Sequence, residues 1–105
     1  SGCTSLTEVQ IPNSVTSICD WAFSGCAALI QVRFPDSVTS IGDNAFYGCT
    51  SLTRVRIPNS VKVIEKEAFM GCTSLTEVEL PNSLTNIGHS VFEDCASLAY
   101  FQVLS

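Results

Sequence analysis

The sequence predicts an α/β solenoid, a stack of short coils that each hold a strand, an extended return and a turn of helix. Three observations carry this. First, Gly48 to Met70 reads GCTSLTRVRIPNSVKVIEKEAFM and Gly71 to Glu93 reads GCTSLTEVELPNSLTNIGHSVFE, nearly the same text 23 residues on. Second, with Gly2 as the start, a 23-residue register covers Gly2–Ser24, Gly25–Tyr47, Gly48–Met70 and Gly71–Glu93, and a partial fifth copy runs from Asp94 to Ser105. Third, whole columns of this register keep one residue type: Leu6, Leu29, Leu52, Leu75 and Leu98; Ile18, Ile41, Ile64 and Ile87; Phe23, Phe46, Phe69 and Phe92; Ser14, Ser37, Ser60 and Ser83. A unit this short buries its apolar face only by stacking on its neighbours. Residues 1–105 therefore read as one domain of about four and a half repeats.

Each element follows from its residues. Leu52 to Ile57, LTRVRI, is rich in β-branched residues and predicts a short strand. Its apolar positions place Leu52, Val55 and Ile57 inward. Pro12, Pro35, Pro58 and Pro81 come next; proline has no N–H and is expected to end ladder pairing. Asn13, Asp36, Asn59 or Asn82 and then serine supply turn chemistry. SVTSI or SVKVI makes a second extended piece. Gly42 to Gly48, GDNAFYG, predicts one or two helical turns, closed by Gly25, Gly48 and Gly71 in a left-handed position that Asp94 fills in the fifth copy. A second glycine column, Cys19, Gly42, Glu65 and Gly88, admits side chains that resist positive φ, so it is not expected to need that conformation.

The chain has 105 residues, 46% of them apolar and 14% charged, which suits a packed interior and not a disordered segment. A formal net charge of −5 argues against non-specific nucleic-acid binding, which needs a basic face. No apolar run approaches the roughly 20 residues of a membrane-spanning helix, and no N-terminal basic-then-apolar segment suggests a signal peptide, an absence that says little because the sequence opens within the repeat. The opening SGCTSL falls inside the repeat, so the sequence reads as an excerpt or a processed fragment.

The pattern LTRVRIPNSV…IG…AF.GC resembles the leucine-rich repeat, whose strand signature L-x-x-L-x-L is matched by L-x-x-V-x-I, and more narrowly its BspA-like subgroup. The match recurs along essentially all of the chain. The resemblance implies a right-handed solenoid with a parallel sheet on its concave face, acting as an adhesive or scaffolding surface and not as a catalyst. In the general motif an Asn forms the polar ladder. Here the Asn13, Asp36, Asn59, Asn82 column and the serine column one residue later are both candidates.

Six cysteines would suggest a disulfide framework, yet Cys3, Cys26, Cys49, Cys72 and Cys95 are each 23 apart and only Cys19 is off the pattern. Stacked strands lie about 4.7–4.9 Å apart, so equivalent Cβ atoms point the same way at that spacing, whereas a disulfide wants converging Cβ atoms near about 3.8 Å. A line of thiols is also not a tetrahedral metal cluster. The column is read as buried thiols acting as small hydrophobes, and no cofactor or metal is expected. His89 falls in a variable column with Asp20, Asp43 and Lys66, a solvent signature. No nucleophile–base pair or phosphate loop stands out, so the chain is not expected to be an enzyme. The phenylalanine column is a core spine. Trp21 and Tyr47 occupy variable slots and Tyr100 an outward strand slot, where aromatics favour partner contact.

The x positions of L-x-x-V-x-I point out from the concave sheet in three rows: Thr7, Ile30, Thr53, Thr76, Ala99; Glu8, Gln31, Arg54, Glu77, Tyr100; and Gln10, Arg33, Arg56, Glu79, Gln102. All three arginines lie here, with Glu8, Glu77 and Glu79. Lateral pairing of Arg54 with Glu77 and Arg56 with Glu79 is one reading, worth about 0–1 kcal/mol each. Arg33 beside Arg56 is a like-charge pair, and the other reading is a recognition patch, Arg33, Arg54 and Arg56, for an acidic peptide or an anionic glycan group. The candidate partner-binding set is therefore Glu8, Gln10, Gln31, Arg33, Arg54, Arg56, Glu77, Glu79, Tyr100 and Gln102. Neither end carries a polar cap, and SLAYFQVLS is apolar, with Leu104 in place of proline. Either more repeats follow or this end docks on a subunit or a second copy, which supports an alternative role as a small scaffold in a larger assembly. Thiols favour a reducing compartment; the family resemblance favours the cell surface.

Overall fold

The computed structural model describes residues 5–104, the final strand through its backbone. Short strands alternate between two parallel sheets. β1 (Glu8–Gln10), β3 (Gln31–Arg33), β5 (Arg54–Arg56), β7 (Glu77–Pro81) and β9 (Tyr100–Leu104) form one, in that order. β2 (Ser17–Ile18), β4 (Ser40–Ile41), β6 (Val63–Ile64) and β8 (Asn86–Ile87) form the other. Each strand faces its counterpart in the next copy: Glu8 opposite Gln31, Ile18 opposite Ile41, Arg54 opposite Glu77. The chain is a solenoid, and like side chains pile over like.

That register makes the core. Leu52, Val55 and Ile57 are 0%, 1% and 2% exposed, as the strand pattern requires. Phe23, Phe46, Phe69 and Phe92 stack with ring centroids 5.2, 5.1 and 5.8 Å apart and planes within 10°. These spacings are near one strand separation, so a single geometry satisfies both backbone and rings. On the outermost described coils Leu6 and Ile87 are exposed.

The strand-ending role expected of proline fails at Pro81, which pairs with Leu104. Proline can still accept through its carbonyl, and Leu104, standing where other copies have proline, brings an N–H to the ladder. The polar ladder belongs to serine. Ser37 Oγ donates to the Val15 carbonyl (2.6 Å), Ser60 Oγ to Val38 (2.5 Å) and Ser83 Oγ to Val61 (3.2 Å). Threonines do likewise: Thr39 to Thr16 and Thr85 to Lys62, both at 3.1 Å.

The predicted helical turns are absent: among the described residues there is no helix. The N–H groups of Ala45, Tyr47 and Cys49 bond three residues back, to Gly42, Asn44 and Phe46. Those of Asn44, Phe46 and Gly48 instead reach the next coil, to Lys66, Ala68 and Met70. An α-helix would direct every N–H four residues back. Here alternate amides serve lateral pairing, so the segment is a third ladder built of consecutive turns. The alternation needs positive φ twice per coil. One position is Gly25, Gly48, Gly71 and Asp94 (φ 73–78° for the last two glycines and 63° for Asp94), as expected. The other is Trp21, Asn44, Glu67 and Ser90, at φ 55–63°, which the variable column concealed. Asn44 suits it, being buried with Nδ2 donating to Glu67 Oε1 at 3.2 Å.

The second glycine column has ordinary φ, as expected, but a different requirement. A Cβ on Gly42 would meet the Asp20 carboxylate and stand 2.7 Å from the Asp20 nitrogen and 2.8 Å from the Ile18 carbonyl. A Cβ on Gly48 would meet nothing within 4 Å. Gly42→Ala is therefore expected to destabilise by about 2–3 kcal/mol through forced backbone displacement. Gly48→Asn, strained only at φ, should lose about 1 kcal/mol or less. Urea unfolding of both variants checks the order; equal losses would contradict it.

Cys19, Cys26, Cys49, Cys72 and Cys95 are thiols, and Cys3 lies outside the described residues. Beyond filling space, they bond: Cys49 Sγ donates to the Phe23 carbonyl (3.2 Å), Cys72 to Phe46 and Cys95 to Phe69 (both 3.3 Å). Burial pushes the Cys72 thiol far above its ordinary 9.0, and Cys49 and Cys95 add to the shift. The unfolded chain then ionises first, so the contribution of Cys72 is intact below pH 9 and declines above it. Between pH 8 and pH 10 the wild type should lose about 1.4 kcal/mol more than Cys72→Ala, measured by urea unfolding at both pH values.

Candidate functional site

Strand alternation turns Val9, Val32, Val55, Val78 and Leu80 inward and presents the residues between them. Glu8, Gln10, Arg33, Arg54 and Arg56 are exposed, and Gln31, Glu77 and Glu79 are half-buried. Tyr100 and Gln102 stand opposite Glu77 and Glu79 in the β7–β9 register, and their side chains lie outside the described residues. Stacking of the five strands thus brings all the described members of the candidate set onto one sheet. Trp21 and Tyr47 lie elsewhere, on the turn ladder, exposed and 5.8 Å apart between ring centroids. His89 is exposed, and no cluster of potential metal ligands occurs among the described residues.

The charges pair laterally. Arg54 Nε donates to Glu77 Oε1 at 3.1 Å, and Arg56 Nε lies 3.4 Å from Glu79 Oε1. Arg33, expected to face only a like-charged neighbour, also has a carboxylate: Glu8 Oε2 is 4.0 Å from its Nε. All three arginines are well exposed, so these pairs add little stability, about 0–1 kcal/mol each. Each contact runs through Nε. The terminal Nη nitrogens of a guanidinium carry four further donors for another acceptor.

One irregularity interrupts the sheet. β1 pairs with β3 at three positions, and β5 with β7 at three, but β3 pairs with β5 only at Gln31 and Arg54. Ile11 N donates to the Arg33 carbonyl and Ile57 N to the Glu79 carbonyl, both at 3.0 Å; the equivalent bond from Phe34 N to the Arg56 carbonyl is not made. The strands therefore part at Arg33–Phe34 and Arg56–Ile57. Two features of the sequence coincide there. Arg33 and Arg56 are the like-charge neighbours of the outward row. Phe34 is an aromatic in a column otherwise filled by Ile11, Ile57, Leu80 and Val103. A cleft of about 500 Å³ opens at this point, lined by Gln10, Gln31, Arg33, Phe34, Arg54 and Arg56 among others. A smaller hollow beside it shares Phe34, Asp36 and Arg56. Sequence reasoning found the arginines and missed Phe34; its break with the column was the available signal.

The chain resembles several solved structures. It is 43% identical to the T. pallidum leucine-rich repeat protein TpLRR, with a TM-score of 0.93, covering 95% of this chain and 47% of that one. A leucine-rich repeat protein from Bacteroides ovatus matches at 34% identity and TM-score 0.83, covering 92% of this chain and 31% of that one. A leucine rich cell surface protein from Faecalibacterium prausnitzii matches at 32% and 0.68, covering 93% and 32%. The chain thus spans about half or less of the length of these proteins. No curated protein matches it. Residues 1–105 match the family described as BspA type leucine rich repeat region (6 copies). With two parallel sheets in register, repeat columns stacked through the core and that match along its whole length, the chain belongs to the BspA-type leucine-rich repeat family.

Proposed function

We propose that this chain is a non-catalytic interaction module that binds a protein or a glycan on the outward face of its five-stranded sheet. Leucine-rich repeat proteins generally mediate protein interaction, which supports the class. The observation that carries the site is the gathering of Arg33, Arg54 and Arg56 on one exposed sheet of a chain whose net charge is −5. Glu8, Gln10, Gln31, Glu77, Glu79, Tyr100 and Gln102 complete the proposed contact set. In this reading residues 1–105 are one right-handed domain of 23-residue coils, and the binding sheet is concave. The likeness to a leucine rich cell surface protein of F. prausnitzii supports a surface location.

Glycan and peptide arrays probed with the wild type, Arg54→Ala/Arg56→Ala and Trp21→Ala test this. The double arginine variant is expected to bind its ligand about tenfold or more weakly, because charge-assisted hydrogen bonds are lost. Trp21→Ala, on the turn ladder, is expected to bind as the wild type does. The opposite pattern would place recognition on the turns, and no ligand on either array would remove the reading.

A further inference from the structure

We propose that the gap between β3 and β5 is a subsite for one carboxylated sugar residue of a glycan, a uronic acid unit. The proposal rests on the sheet-binding reading above and names the ligand chemistry of its centre. The gap supplies three kinds of group that such a residue needs. The Phe34 amide lacks the partner that Ile11 and Ile57 find at the same position of their coils, so it can donate to an oxyanion. Arg33 and Arg56 flank it and can direct Nη donors to the same carboxylate, a planar acceptor that guanidinium geometry matches.

The remainder of the site fits a sugar ring. Phe34 is half-buried, whereas Ile11, Ile57 and Leu80 in its column are 5%, 2% and 1% exposed. Its ring stands edge-on to buried Phe46, at 5.7 Å and 81°, which fixes its orientation. A fixed aromatic offers an apolar platform for the C–H side of a sugar ring. Gln10 and Gln31, whose amides both donate and accept, line the same cleft and suit hydroxyl groups. About 500 Å³ lies in the range of small-ligand sites and accommodates one or two rings. Asp36 at the lip and a net charge of −5 disfavour a polyanionic peptide, while one carboxylate per sugar unit meets the local arginines alone.

The gap itself is tested first by amide hydrogen exchange on the free protein. Phe34 should exchange at least tenfold faster than Ile11 and Ile57; equal protection of the three overturns the proposal. Binding is then followed by amide NMR shifts, titrating a glucuronic-acid-containing disaccharide, its neutral glucose counterpart and an Asp/Glu hexapeptide. The acidic sugar is expected to shift the Phe34 and Arg56 amides. Arg33→Ala/Arg56→Ala should weaken it about tenfold or more. Phe34→Ile, which restores the column's aliphatic residue and closes the gap, should weaken it similarly without lowering the melting temperature. Equal shifts with the neutral sugar, tighter binding of the peptide, no shifts at all, or wild-type affinity in both variants overturns the subsite. If the acidic sugar fails while Arg54→Ala/Arg56→Ala still loses its array ligand, the sheet-binding reading stands and the uronate assignment falls.

Discussion

The structure depends on one constraint: each coil must place its backbone polar groups against the same positions of the next coil. Three ladders meet that demand together. Two are parallel sheets, and the third is a run of turns in which alternate amides cross to the neighbour. Buried polar groups left unpaired are costly, so a slip of one residue in any ladder would orphan groups in all three. The side chains then have no freedom of register. Leucines, isoleucines and phenylalanines stack because the backbone has already aligned them, and their packing in turn closes the interior from which water is excluded. Hydrogen bonding supplies the alignment and apolar burial the driving force.

Most of this was legible in the residues, because repetition within one chain reports which positions share an environment. The strand faces, the phenylalanine spine and the left-handed glycine column followed directly. The turn ladder did not. Local propensity in GDNAFYG suggests helix, and nothing within one copy reveals that its amides are wanted by the next coil. Likewise Trp21, Asn44, Glu67 and Ser90 share a backbone conformation and no chemical type, so the column looked unconstrained. Serine against asparagine could not be decided from order along the chain either; the direction of each hydroxyl decides it.

The candidate site illustrates a complementary point. A regular repeat makes a uniform surface, and uniform surfaces discriminate poorly. Specificity has to come from departures. On this sheet the departures converge: unequal charge along the outward rows, one aromatic in an aliphatic column, and one interrupted pairing between β3 and β5. The rest of the sheet holds this irregular patch in place, since β1 and β7 keep full pairing on either side. Rigid surroundings are what allow a few displaced groups to act together.

The direction of the side-chain bonds has its own consequence. Among the described residues, side-chain hydrogen bonds of serine, threonine and cysteine run from a coil to a carbonyl of the coil before it: Ser37 to Val15, Thr76 to Thr53, Cys95 to Phe69. The side-chain bonds therefore have a polarity, with hydroxyls and thiols reaching back to carbonyls of the preceding coil, opposite to the turn-ladder amides of Asn44, Phe46 and Gly48, which donate forward. During synthesis the earlier coil leaves the ribosome first, already presenting its acceptors. Each later coil emerges carrying the side-chain donors that reach these carbonyls, and its own carbonyls receive the turn-ladder amides of the coil before it, so both partners of every lateral bond are present once two successive coils have emerged.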